Sequence, residues 1–218
     1  MAKLEWDAIG ERFYETGVSH GVVYQKDNSG NYPKGEAWNG LTGVTKSPSG
    51  AEETPLYANN RKYLSLYSAE ELGGTIEAYT YPDSFGECDG SKELAPGVKV
   101  GQQARKAFGM TYQSILGNDT ARNNYGYKIH IIYDMMVSPT EQEYNTVNDS
   151  PSVDPFSWEF TTTPVKVAGV EPTSSLVIDS TKVDGTKLKA LEDILYGTEE
   201  AEARLPLPDE IVTLLKAA

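Results

Sequence analysis

WNGLTGVTKSPSGAEETPLYANNRKYLSLYSAEELGGTIEAYTYPDSF, the stretch from Trp38 to Phe85, decides how the rest of the chain is read. Its middle, Ser47 to Arg61, is rich in Ser, Pro, Gly, Asn and Glu and offers little apolar surface to bury. Beyond it the pattern has a period of two. Tyr63, Ser65 and Tyr67 interleave with Leu64 and Leu66, and Thr75, Glu77, Tyr79 and Tyr81 interleave with Ile76, Ala78 and Thr80. Such alternation marks strands with one covered and one open face. The expectation is a sheet that emits a long polar loop and takes it back, and loops of this length in compact domains are either functional or disordered.

Working outward, Gly17 to Gln25 reads as a first strand and Ala37 to Lys46 as a second, with turn chemistry over Asp27 to Gly35 between them. The second strand enters the loop at Ser47-Pro48. Residues 1–16 mix charge with Leu4, Trp6, Ile9 and Phe13 and form a terminal arm, packed on its own domain or on a neighbour. Downstream, Val98 and Val100 lead into an alternation running to Tyr112, and Tyr127 to Val137 alternates again. Phe156 to Thr163 makes a strand stopped by Pro164, and Ser174 to Thr181 a short last one. Asn118-Asp119-Thr120 between two long strands is a formal glycosylation acceptor but reads as a turn. Pro139 to Pro155 is a polar surface loop. Then the period changes: Leu188, Leu191 and Leu195 fall at helical spacing ahead of Gly197, predicting one amphipathic helix over 186–196. The segment 198–218 is acidic, then Leu205-Pro206-Leu207-Pro208, then a short apolar-sided helix from Asp209 to Leu215. Its apolar patch needs cover, from its own domain or from an adjacent subunit.

The whole is expected to be mainly β: a two-sheet β-sandwich over 17–197 with one flanking helix, a long loop 47–61 and two terminal arms. At 218 residues it fits one domain. Nineteen basic against 32 acidic residues give a net charge of -13, which argues against holding nucleic acid by phosphate neutralisation. Such a charge by itself says no more than that the chain stays in solution. No secretory leader is read in the first residues, no apolar run reaches membrane-spanning length, and a single Cys88 suits synthesis in a reducing cytoplasm. Glu87, Cys88 and Asp89 are adjacent and point different ways, so an ordinary turn is expected rather than a metal site. His20 and His130 are far apart and no nucleophile, zinc or nucleotide fingerprint occurs, so no enzymatic role and no cofactor are expected.

The Trp38 to Phe85 stretch, together with GNDT, FSWEFTTTPV and LEDILYGTEEAEARLPLPDE, resembles the major tail tube protein of long-tailed (siphovirus-type) bacteriophages of Gram-positive hosts. The resemblance implies a structural virion protein, made in the host cytoplasm, whose hexameric rings stack into the hollow tail tube. Its partners would be other copies of itself, the tape measure protein, and the tail terminator and tip proteins; genomic DNA passes through without specific binding, and no membrane is involved. It would make 47–61 the inter-ring loop, with Pro48 and Pro55 as stiffeners, Leu56 and Tyr57 as buried anchors, and Arg61 at its end. Trp6, Ile9, Leu205, Leu207, Ile211 and Leu214 would be subunit contacts in the arms. Glu77 and Glu159, lone carboxylates on otherwise uncharged strand faces, are candidates for the lining of the lumen or for the outer surface. Two alternatives stand beside it: a monomeric sandwich that binds carbohydrate or protein, and a tube-forming ring protein of a secretion system.

Overall fold

A computed structural model describes residues 3–146, 149 and 153–216. The outermost residues of both expected arms (1–2 and 217–218) and part of the expected Pro139–Pro155 loop (147–148 and 150–152) lie outside that range. The elements in chain order are β1 (Phe13–Gln25), β2 (Gly35–Trp38), β3 (Leu41–Gly50), β4 (Glu53–Ala58), β5 (Arg61–Tyr67), β6 (Glu70–Ala78), α1 (Phe85–Asp89), β7 (Lys92–Ala95), β8 (Val98–Val100), β9 (Phe108–Asn118), β10 (Arg122–Val137), β11 (Phe156–Thr162), β12 (Val165–Val167), β13 (Val170–Thr173), β14 (Ser175–Asp179), α2 (Gly185–Tyr196) and α3 (Pro208–Lys216). The protein is mainly β, built on one large antiparallel sheet in the order β2-β1-β9-β10-β11-β6-β3, with β14 also paired to β10.

The bend of that sheet is set by β10. Its middle, Lys128 to Ile132, pairs with β14, and its last residues, Met135 to Val137, pair with β11. The switch falls at a bulge around Asp134, whose φ is 49°. A bulge of this kind leaves one backbone group unpaired and kinks the strand. Here the Asp134 amide donates to the Tyr32 hydroxyl (3.1 Å) and its carboxylate pairs with Lys26 (2.7 Å), so the kink leaves neither unsatisfied. The sheet then curls until β3 approaches β1, where a side chain at Gly21 would meet Leu41 at 2.9 Å.

Two cores follow, one on each face. Alternation along β10 sends Ile132, Met135 and Val137 to the first core, with Val23, Met110, Ile76, Trp158 and Phe160, and sends Ile129, Ile131 and Tyr133 to the second. The first core ends in an aromatic cluster: Trp38, Phe85 and Trp158 lie 4.5 to 5.7 Å apart between ring centres. Phe85 and Cys88 reach it from α1, a short helix where the sequence reads as a turn. The second core is roofed by helices. Asp184 caps α2 by accepting from the Thr186 and Lys187 amides, and Leu188, Leu191 and Leu195 face the sheet, as their spacing predicts. The helix covers a face that would otherwise be open to water.

Several expected boundaries shift. β1 begins at Phe13, so the N-terminal arm is four residues shorter than 1–16. Ala37 to Lys46 is not one strand, since an Asn39-Gly40 turn divides it into β2 and β3. The alternation expected from Val98 to Tyr112 is not continuous: 101–107 are irregular and separate β8 from β9. The hairpins β7–β8 and β12–β13 go unseen as hairpins because their strands are three or four residues long, too short to show a period.

Candidate assembly surface

The segment 47–61 is not a loop. β3 and β6 stay paired from Leu41–Ala78 out to Gly50–Glu70, and the ladder resumes beyond a twist as β4 against β5, from Glu53–Tyr67 to Ala58–Arg61. The twist sits at Gly50 (φ 85°) and Ala51 (φ 52°), where a side chain at Gly50 would collide with the Ala69 carbonyl at 2.1 Å. Ser68 donates its amide to the Glu52 carbonyl (3.1 Å) and its hydroxyl accepts from the Glu52 amide (3.0 Å), so pairing carries across the crossing. Asn59 and Asn60 close the tip with φ of 51° and 62°. Two successive positive φ values give the mirror-image turn that suits the twist of a hairpin, and Asn is among the few residues that accept them. The eight residues 51–58 carry this ribbon roughly 25 Å beyond the sheet at about 3.3 Å per residue.

Among the described residues nothing covers the ribbon. Every residue of β4 is exposed, and so is all of β5 except Ser65, which is half-buried. One face carries Thr54, Leu56, Leu64 and Leu66, with Leu66 55% exposed. On the other, Glu53 bonds Lys62 and Ser65, and Tyr57 and Tyr67 flank them, each 70% exposed. A two-stranded ribbon alone is marginal in water, and contiguous apolar residues at this density signal a contact surface. Pro48 and Pro55 are not stiffeners of a loop: they stand within paired strands, opposite Leu72 and Ser65. Both lie on the β3–β4 side, where a proline removes a donor from an open edge and discourages strand addition there. Leu56 and Tyr57 remain exposed, and Arg61 sits at the tip, opposite Ala58.

The two ends of the chain part company. Leu4, Trp6 and Ile9 are 74%, 77% and 82% exposed. Among the described residues their segment is tied down at its base, where the Gly10 amide donates to Asp119 (3.0 Å) and the Asn118 side-chain amide donates to the Gly10 carbonyl (3.0 Å). Asn118 also accepts from the Ala121 amide, so the Asn-Asp-Thr turn holds itself and anchors the arm.

The C-terminal segment, by contrast, is not an arm. Leu205 and Ile211 are buried in the second core, and Leu214 packs against it. The Leu205 amide donates to the Tyr32 carbonyl (3.1 Å), Gly35 donates to the Ala203 carbonyl (2.7 Å), and Tyr133 donates to the Pro206 carbonyl (2.9 Å). The physical reason is that the sheet face behind Tyr24 and Tyr133 needs more cover than the three leucines of α2 supply. Of the C-terminal residues expected to touch another subunit, Leu207 alone is exposed, at 41%.

Glu77 and Glu159 occupy adjacent strands, with Ser157 opposite Glu77 and Thr75 opposite Glu159. Both are exposed on the face of β6 and β11 away from the first core, among Thr45, Thr75 and Thr161. They therefore share one polar sheet surface.

A cleft of about 560 Å³ lies between the Asp27–Gly35 turn, α1 and the β7–β8 hairpin. It is lined by five lysines and five carboxylates, and Lys26, Lys99 and Lys106 are already paired with Asp134, Asp83 and Glu87. Its charges cancel within the protein. Among the described residues no three His, Cys, Asp or Glu side chains converge to hold a metal ion, and no helix is long and apolar enough to cross a membrane. The Cys88 thiol is buried in the first core, and burial above all pushes its pKa up to about 12, so it is not poised as a nucleophile.

One polar cluster was invisible in the sequence. Glu15 (β1), Lys46 (β3), Tyr112 and Ser114 (β9) and Lys128 and His130 (β10) meet at the rim of the first core, though up to 115 residues separate them. Strand register alone brings them together. No protein-family model matches the chain, and no curated protein matches it.

Proposed function

We propose that this protein is a self-assembling tube subunit of the phage tail-tube kind, its curled sheet acting as two packed layers and its ribbon bridging from one ring to the next. The observation that carries the reading is the ribbon: a roughly 25 Å extension, apolar on one face, that none of the described residues of its own chain covers. Such a ribbon meets a surface elsewhere on the next copy. Contacts between two different patches are heterologous, and they close into rings or run on as filaments. The exposed N-terminal residues Leu4, Trp6 and Ile9 supply a second contact of the same kind.

In this reading the ring is a hexamer, the location is the virion, and the tape measure, terminator and tip proteins are partners. Genomic DNA traverses the lumen, past a surface that an excess of thirteen negative charges keeps from gripping it. Glu77 and Glu159, diagonal neighbours on adjacent strands among threonines, suit that surface. Negative-stain images over a concentration series test it: rings that stack into hollow tubes are the expected result, and single particles at every concentration would contradict it.

A further inference from the structure

Besides the β3–β6 and β6–β11 ladders, a polar cluster of side chains ties the root of the ribbon to the body. Lys46 lies on β3 opposite Gly74, midway along the ladder that carries the ribbon. Its ammonium stands 3.2 Å from Nδ1 of His130 and 5.8 Å from the centre of the Tyr112 ring, which stacks on the imidazole at 4.7 Å. On the other side of the ring, Nε2 is 2.8 Å from the Ser114 hydroxyl and 3.1 Å from Glu15. Glu15 in turn accepts from Ser114 (2.6 Å) and pairs with Lys128 (2.5 Å).

Donor and acceptor bookkeeping fixes the state of this imidazole. An ammonium has only protons to offer, so Nδ1 must accept and the Nε2 proton must face Ser114 and Glu15. His130 is therefore neutral here. A second proton can go only on Nδ1, where it would point at the ammonium. The groups facing His130 are Lys46 from β3, Glu15 from β1, Tyr112 and Ser114 from β9, and Lys128 from its own strand, while β14 contributes only Val177 opposite it. Lys46, Lys128 and Glu15 leave one positive charge in excess, and protonation makes it two.

We propose that these side chains form a proton-operated latch on the root of the ribbon: neutral His130 holds Lys46, and β3 with it, and protonation of Nδ1 lets them go. Burial first, then the Lys46 charge, pushes the imidazole below its ordinary range, against the pull of Glu15. Glu15 itself is held down at about 2: burial opposes its ionisation, but the bonds from Lys128 and Ser114 outweigh burial, so it keeps its charge while His130 titrates. The sign follows from linkage. A histidine harder to protonate in the latched state contributes its hold fully above the released-state value, and that hold is lost as the pH falls through the latched-state value. The latch belongs to the single chain and stands whether or not copies assemble.

Amide hydrogen exchange on the full chain at pH 7.5 and 5.0 tests it, corrected for the pH dependence of intrinsic exchange. Protection of the β3 amides around Lys46 is expected to fall by up to roughly 30-fold at pH 5.0, the limit set by an ordinary imidazole value of about 6.5. Amides of Val22 to Tyr24 should keep theirs. His130→Gln, which still accepts from Lys46 and cannot charge, should abolish the pH dependence. Equal loss of protection in that variant, or none in the unaltered protein, would overturn the latch. Should the variant fail to fold, the imidazole and β3 amide resonances of the unaltered chain decide: a shared titration midpoint supports the latch, and separate midpoints refute it.

Discussion

Replacing Leu56 and Leu66 together with aspartate is expected to abolish assembly while leaving the folded subunit as stable as before. Both side chains lie on the same face of the ribbon and are 43% and 55% exposed in the single chain. Exposed positions of this kind change folding stability by only about 0.5 kcal/mol when substituted. In a contact with another copy the same residues become buried, where a leucine contributes roughly 1.5–3 kcal/mol and an unpaired carboxylate costs more than it gives. Losing both removes roughly 3–6 kcal/mol per contact, or about 10²- to 10⁴-fold in association. Sedimentation velocity and thermal unfolding on one preparation separate the two effects. Loss of thermal stability with assembly intact would place the leucine face inside the subunit.

Leu205→Ala has the opposite signature. Leu205 is 3% exposed, its Cδ2 would lie 2.4 Å from any side chain placed at Gly109, and its amide bonds Tyr32. Truncating a leucine in such a site costs about 2–5 kcal/mol, which in a chain of this size lowers the unfolding midpoint by roughly 5–20 °C. The effect should appear undiminished in the aspartate-bearing, unassembled background. A C-terminal segment borrowed by a neighbour would instead show the loss only when tubes form, so this single substitution separates the two placements of 198–218.

The two ends illustrate what could be read from residues alone. Apolar residues near a terminus say that something must cover them, and nothing in Leu205-Pro206-Leu207 names the cover. The face behind Tyr24 and Tyr133 took it, because α2 was too narrow to close that core unaided. The alternation in β11 was legible because one face is buried and the other open, those in β9 and β10 because the two faces differ in residue type although both are largely buried, and α2 was legible from its leucine spacing. The ribbon was not. A strand exposed on both faces has no reason to alternate cleanly, so Glu53 to Ala58 carries the composition of a loop while making the hydrogen bonds of a sheet. The signal that would have found it is the turn: Asn59-Asn60 between Leu56-Tyr57-Ala58 and Arg61-Lys62-Tyr63. The cluster around His130 had no such signal, since its members come from four strands and neither their spacing nor their types suggest one another.

Order within the ribbon changes what it does. A floppy loop would lose conformational freedom on docking, whereas a pre-paired ribbon has already given most of it up in folding. The latch at Lys46 and His130 then acts on a lever rather than on a tether, because a small release at the root is carried outward by a paired, twisted strand pair.

The central claim is that the ribbon finds its partner on another copy, and sedimentation of a chain without it is the most direct test. Replacing 51–69 by Asn-Gly joins Gly50 to Glu70, the last pair of the β3–β6 ladder, through a two-residue hairpin turn and leaves the body untouched. The unaltered chain should sediment as large assemblies that grow with concentration, and the shortened one as a folded particle near the chain mass of 23.9 kDa less the excised piece. Identical sedimentation of the two, whether both large or both single, would contradict it.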